Sequence, residues 1–211
     1  MNAGFGSLTV LKAQLLAEVL RADTAYDAAL LAIGQGVVAK FENAADRKFA
    51  RVVGYAEALP ADRVNFLLER FPLESISTIE LKLDEATGWV AQTITDFVRT
   101  IDLKNGLVIL PDTADAGPYW GQVRFTYTGG YWFDETEEGT DSLPSGATAL
   151  PADLTLAWIL QCRAVWSAID KLGVEIIKTG SAAAVAASVA GIDLVPAVKD
   201  TLGDYARYSL T

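Results

Sequence analysis

At Arg51 the hydrophobic period of this chain changes from helical to alternating, and after Pro151 it changes back. Before Arg51, Leu8, Leu11, Leu15 and Val19 recur at helical spacing, with Leu16 and Leu20 widening the stripe. Ser7 or Thr9 can start this helix. The pattern restarts in "RADTAYDAALL", where Thr24 and Asp27 have the form of a capping box. Tyr26, Leu30, Ile33, Val37, Phe41, Ala45 and Phe49 then mark a second, longer helix, with a turn at 21–24 between the two. Gly34 and Gly36 lie inside that helix and weaken it, unless they admit another backbone.

From Arg51 onward the segments "RVVGYAE", "RVNFLLE", "SISTIELKL", "GWVAQTI", "FVRTIDL", "GLVIL" and "QVRFTYT" read as strands, separated by turn-forming residues. Asn105–Gly106 between two apolar runs is a hairpin signal. Closely spaced strands with no helix between them predict an antiparallel meander. In "ALPADLTLAWILQCRAVWSAIDKLG" the helical period returns: Leu154, Trp158, Cys162, Val165, Trp166, Ile169 and Leu172 share one face. Pro151 suits the first turn, Asp153 the positive end of the helix dipole, and Gly173 the stop. Beyond it the chain is Ala-rich, is broken at Pro196, and carries a short amphipathic stretch in "AVKDTLGDYARYSL".

The predicted fold class is therefore α+β: an α-helical bundle, two N-terminal helices plus a long C-terminal one, with an inserted antiparallel β-sheet block. The expected divisions are helices over 1–50, β block over 51–133, acidic loop over 134–149, long helix over 150–173 and tail over 174–211.

Composition limits the chemistry. The chain has no histidine and one cysteine. His-based triads, proton shuttles, His-ligated zinc and thiolate metal sites are thereby excluded. Cys162 falls on an apolar helical face, where a buried thiol is the default reading. A single cysteine fits a reducing compartment, and the N-terminus lacks the pattern of a signal peptide. No apolar run is long enough to span a bilayer. The formal charge of −10 disfavours a grip on phosphates. Carboxylate chemistry remains open in principle, as in glycoside hydrolysis, but no two carboxylates stand out in apolar settings.

The stretch "VRFTYTGGY" invites a phosphate-loop reading at Gly129–Gly130. No Lys-Ser/Thr follows, and Asp134, Glu135, Glu137, Glu138 and Asp141 come next, so a strand end with irregular backbone is the better reading. Those five acids lack EF-hand spacing, and a solvated loop is their default reading. Neither a metal nor a cofactor site is expected. Trp158 and Trp166 belong to the core stripe. Trp89, Trp120 and Trp132 flank strand ends, where a carbohydrate platform would require them side by side on one face.

The order of weak motifs carries more than any one of them. Ser7, Leu8, Lys12 and Leu15 lead into Asp27, Leu30, Val38, Phe41, Asp46, Arg47 and Phe49. Pro72, Ser75 and Ile76 stand in "LLERFPLESISTIEL"; Tyr127, Gly130 and Tyr131 end the last strand; Leu150, Pro151, Leu154, Ala157 and Trp166 open the long helix. In this order, over roughly residues 7–172, the chain resembles the head–tail connector (adaptor, or head-completion) proteins of tailed bacteriophages. The β block is longer than in compact connectors, and the tail after Gly173 has no counterpart in the pattern.

The resemblance implies a structural virion protein of the head–tail neck, made in the host cytoplasm and without catalytic activity. Its implied partners are the portal protein, a stopper or head-closure or tail protein, and further copies of itself in a ring, typically twelvefold. DNA passes through without specific binding, and no membrane is involved. On this reading Asp134–Asp141 faces the lumen or the next neck protein. Tyr205, Arg207, Tyr208 and Leu210 have the composition of an interface with the portal; packing on the chain's own helices is the open alternative for that segment. The runner-up reading is a stopper or tail-completion protein, ahead of an acidic carbohydrate-binding module or glycoside hydrolase.

Overall fold

A computed structural model describes residues 2–82, 85, 86, 88–111, 121–133, 142–170 and 191–207. The fold class is the mixed α+β one, and the chain divides into two compact units. One comprises Met1–Asp46, Phe133–Leu143 and Ala149–Ala206; the other comprises Arg47–Trp132, Pro144–Thr148 and Arg207–Thr211.

The first unit is helical. Helix α1 spans Leu8–Leu15, and Ser7 caps it by accepting a hydrogen bond from Val10 N–H at 3.3 Å. The apolar stripe to Leu20 predicted a longer helix. Instead α1 closes at Leu16, and Glu18–Leu20 forms a single 3₁₀ turn. Helix α2 spans Asp27–Ala45, and its N-cap is Tyr26, without a side-chain cap. The Thr24–Asp27 capping box does not form, because the helix begins at Asp27 and Thr24 stands two residues before its N-cap; Asp27 instead pairs with Lys12 of α1, whose ammonium also donates to the Asp23 carbonyl. That pair ties α1 to the start of α2. Asp46 ends α2 in the left-handed conformation (φ 49°), which Asp tolerates better than most residues.

Gly34 is the place where the helix admits another backbone. A Cβ there would lie 1.9 Å from the Ala3 carbonyl oxygen, so only glycine lets the N-terminal segment lie against α2. The Gly34 carbonyl accepts from the buried indole N–H of Trp158 at 3.0 Å. Trp158 lies on α4, Ala152–Asp170, of which Leu154, Trp158, Cys162 and Val165 form the buried stripe. Trp166 sits half-buried against Tyr26, ring centroids 5.9 Å apart. One polar residue shares that stripe. Gln161 is fully buried, donates to the Asp193 carbonyl at 3.0 Å and accepts from Val195 N–H at 2.9 Å. It fixes the start of the last described helix, Pro196–Gly203, which buries Val198 and Leu202; this is α5, once the four-residue turn of helix α3, Ile94–Phe97, is counted. Gly173 lies outside the described residues.

The second unit is built of sheets. Its strands are β1 Val52–Pro60, β2 Asn65–Leu67, β3 Leu73–Lys82, β4 Val90–Gln92, β5 Thr100–Asp102, β6 Leu107–Ile109 and β7 Gln122–Gly129. They do not form a meander. The last strand, β7, enters between β1 and β3, giving the order β1-β7-β3-β4, while β2, β6 and β5 form a separate three-stranded sheet. All pairings within the two sheets are antiparallel. Short strands β8, Tyr131–Trp132, and β9, Thr148–Ala149, form a ribbon.

β7 explains the order. Its alternate residues Val123, Phe125 and Tyr127 are fully buried, a row that needs neighbours on both flanks and a facing layer. The other sheet supplies that layer through Phe66, Leu68, Val108 and Leu110, with Phe66 and Phe125 ring centroids 5.3 Å apart. The Asn105–Gly106 hairpin exists between β5 and β6. Its loop is longer than a two-residue turn, and Asp102 organises it by accepting from Lys104 N–H, Asn105 N–H and the Asn105 amide. Those bonds hold the Asp102 carboxyl below the usual carboxylate range.

Candidate functional site

Three groups of residues stand out among the described residues of the β unit. The first is the double glycine. Gly129 is the last residue of β7, and a Cβ on it would sit 2.4 Å from the Arg70 carbonyl. Gly130 has φ 98°, donates to the Pro72 carbonyl at 2.9 Å, and would place a Cβ 2.5 Å from the Ala50 carbonyl. Next, Tyr131 N–H donates to the Phe49 carbonyl at 2.7 Å, and Arg51 N–H to the Tyr131 carbonyl at 3.0 Å. Three backbone segments therefore meet at this pair, and the space a phosphate would need is filled by carbonyl oxygens. The sequence reading of an irregular strand end holds.

Beside this junction Arg47 is almost fully buried, with its guanidinium carbon 3.4 Å from the Phe71 ring centroid, 4.9 Å from Phe49 and 5.3 Å from Tyr131. Arginine suits such a box because its flat cation stacks on aromatic faces. The "DRKF" stretch thus closes a helix with Asp46 and pins the neighbouring strand ends with Arg47 and Phe49. Both roles are structural.

The second group lies under β1 and β7. Tyr127, fully buried, donates its hydroxyl hydrogen to Glu57 Oε2 at 2.6 Å. The same oxygen accepts from Glu69 N–H at 3.0 Å, and the Tyr127 hydroxyl oxygen accepts from Arg70 N–H at 3.3 Å. Arg70 spreads over the Tyr55 ring at 4.6 Å and donates to the Ala50 carbonyl at 2.9 Å. Burial raises the Glu57 carboxyl above the usual carboxylate range, although its two hydrogen bonds and the Arg207 charge oppose this. Burial and the adjacent Glu57 raise the Tyr127 phenol as well. Glu57 is a site residue that the sequence reading missed. The signal was present: an acid between Tyr55 and Leu59 on the inward row of a strand.

The third group is on the other face of the sheet. Arg124 and Glu80 face each other across β7 and β3 at 2.8 Å, and the guanidinium lies 4.3 Å from the Trp89 ring centroid. Hydrogen bonding from Arg124 lowers the Glu80 carboxyl. The Trp89 ring is thus engaged by Arg124. Trp132 is half-buried in β8, and Trp120 lies outside the described residues.

Of the C-terminal residues singled out, Tyr205 places its hydroxyl 2.8 Å from both carboxylate oxygens of Asp153, in the first turn of α4. Arg207 donates to the Leu67 carbonyl of β2. Tyr208 and Leu210 lie outside the described residues, as do Asp134, Glu135, Glu137, Glu138 and Asp141. Cys162 is buried, and burial raises its thiol above its ordinary value. Among the described residues no cluster of acids, Cys or His is arranged to hold a metal ion. No described helix is long and apolar enough to cross a membrane.

A fold of this kind, a helical unit discontinuous in sequence with an antiparallel β unit inserted in it, is found in a chain of a virion particle. The chain is similar over 90% of its length, and 91% of the other's, to a chain in the virion of a native gene transfer agent particle, with a TM-score of 0.54 and 16% identity. Looser likenesses join it to chains in the neck of an empty particle computed with C6 symmetry (TM-score 0.45, 21% identity, 67% of each chain) and of a native particle computed with C12 symmetry (0.44, 18%, 81% and 86%). At such identities the likeness is one of fold, and the first comparison alone carries it. No family model and no curated protein matches the chain.

Proposed function

We propose that this chain is a structural adaptor of a head–tail neck: copies form a ring beneath the portal, prolong the DNA channel and offer the stopper or tail a docking surface. One observation carries the reading: the fold is shared, over nine-tenths of both chains, with a chain of a gene transfer agent virion. The ordered motifs from Ser7 to Trp166 point the same way.

In the ring the chain acts through its surfaces. A net charge of −10 suits a channel wall past which DNA slides, since phosphate contacts dominate DNA affinity. Asp134–Asp141 then faces the lumen or the next neck protein. Tyr205, Arg207, Tyr208 and Leu210 belong to the portal-facing end, and the bonds of Tyr205 and Arg207 within this chain are the ones that docking would exchange. Co-purification with a portal ring and imaging of the neck test the reading. A ring of this chain against the portal is the expected result; binding to tail tube alone would favour a tail-completion protein.

A further inference from the structure

The sheet β1-β7-β3-β4 has two different open ends, and the direction of their main-chain groups follows from one hydrogen bond. Ala61 N–H donates to the Gly121 carbonyl at 3.0 Å, towards β7. Main-chain groups alternate along an antiparallel strand, so those of Leu59, Glu57 and Tyr55 also turn to β7. Those of Ala56, Ala58 and Pro60 turn to the open flank, with two N–H donors and three carbonyls, because proline has no N–H. The same alternation carries across the sheet. Arg124 and Thr126 turn to β3, as the Ser77 hydroxyl on the Thr126 carbonyl at 2.9 Å shows. Their partners Glu80 and Thr78 turn back to β7, Ile79 and Leu81 turn to β4, and Gln92 and Val90 turn to β3. Ala91 is left facing outward.

Among the described residues both flanks are open. Among the described residues no backbone hydrogen bond reaches Ala56, Ala58 or Ala91 from outside, and all three are exposed. Edge strands are ordinarily guarded by charge, by proline or by bulges. Between its bulge and its proline β1 carries no such guard: its one charge, Glu57, is turned into the packed face and held by Tyr127. A bulge at Gly54 (φ 65°) and Pro60 bound a window of five residues, and the three-residue β4 fits within it. With four alternating strands, β4 runs opposite to β1. A neighbour related by rotation therefore brings its β4 alongside β1 antiparallel.

We propose that β1 of one copy pairs with β4 of the next, joining their sheets head to tail. This rests on the ring reading, which requires two different complementary faces on each subunit. Ala91 opposite Ala58 makes a reciprocal pair of main-chain bonds, and Val90 and Gln92 flank it. Such a contact is weak singly and repeats around a closed ring.

Proline tests it, because at an outward position it removes only the N–H that the subunit's own sheet does not use. Ala58→Pro and Ala91→Pro should each melt close to the wild type, whereas their self-association, followed by sedimentation up to about 1 mM, should weaken at least about tenfold. Ala58→Val, which keeps the N–H, should associate as the wild type does. An equimolar mixture of the two proline variants should stop at dimers, since each retains one intact edge. Association of Ala58→Pro at wild-type strength, a mixture that stays monomeric or grows beyond dimers, or a wild type monomeric throughout would each overturn the contact. If imaging then found rings of Ala58→Pro at the neck, the ring reading would stand without this contact. Absence of wild-type rings there would end the ring reading itself.

Discussion

Tyr127 of β7 and Glu57 of β1 form a buried hydrogen-bonded pair through which one carboxyl ties stability to pH. The Glu57 carboxyl is raised in the folded chain, so the folded state binds its proton more tightly than the unfolded state does. Stability therefore falls as pH rises from the ordinary carboxylate range through the raised value, and it is not regained above it. Glu57→Gln, which keeps an acceptor for both donors, should gain on the wild type in melting temperature from about pH 4 to about pH 7. An unchanged difference across that range would show that Glu57 titrates normally. At Gly130 the prediction is steric. With φ at 98° and a carbonyl where a Cβ would sit, Gly130→Ala should cost roughly 1–3 kcal/mol from backbone strain alone, measured by urea unfolding. The sequence marked both Tyr127 and Gly130 as landmarks without a reason. The reasons are a buried carboxylate and a crossing of three backbones, neither of which leaves a period in the sequence.

Elements were legible where they answer to a local pattern and illegible where a distant residue decides. The buried stripe of α4 follows from helical spacing, and Ser7 caps α1 as its type predicts. The Thr24–Asp27 box failed because the helix starts at Asp27, where the carboxylate pairs with Lys12 across a turn, a contact that no spacing rule reveals. Strand existence could be read from alternation, but strand order could not, since any strand with two buried flanks can take the centre. Gln161 hid in an apolar stripe for the same reason: its partners, Asp193 and Val195, lie far along the chain. That clamp also bears on truncation. A chain ending after Pro196 loses Val198 and Leu202 from the helical core, at about 1.5–3 kcal/mol each. A chain ending at Ala206 keeps them and should melt close to full length, so comparing the two by calorimetry separates core loss from tail loss.

At the scale of the whole molecule the charge balance makes the plainest forecast. Filter binding at physiological salt should detect no retention of duplex DNA by the isolated chain, its affinity being weaker than about 10⁻⁴ M. Binding in the micromolar range would contradict a wall past which DNA slides freely. The helical unit has a further consequence, which concerns synthesis. Its first part ends at Asp46 and its main part begins again only at Ala149, with the β unit made in between. The Gly34 carbonyl must wait for Trp158 to leave the ribosome. At roughly 5–20 residues per second, α1 and α2 stay without their packing partner for roughly 5–20 s while the sheets are already being completed. Until then the face of α1 and α2 that Trp158 will cover is the surface that a ribosome-associated chaperone would meet.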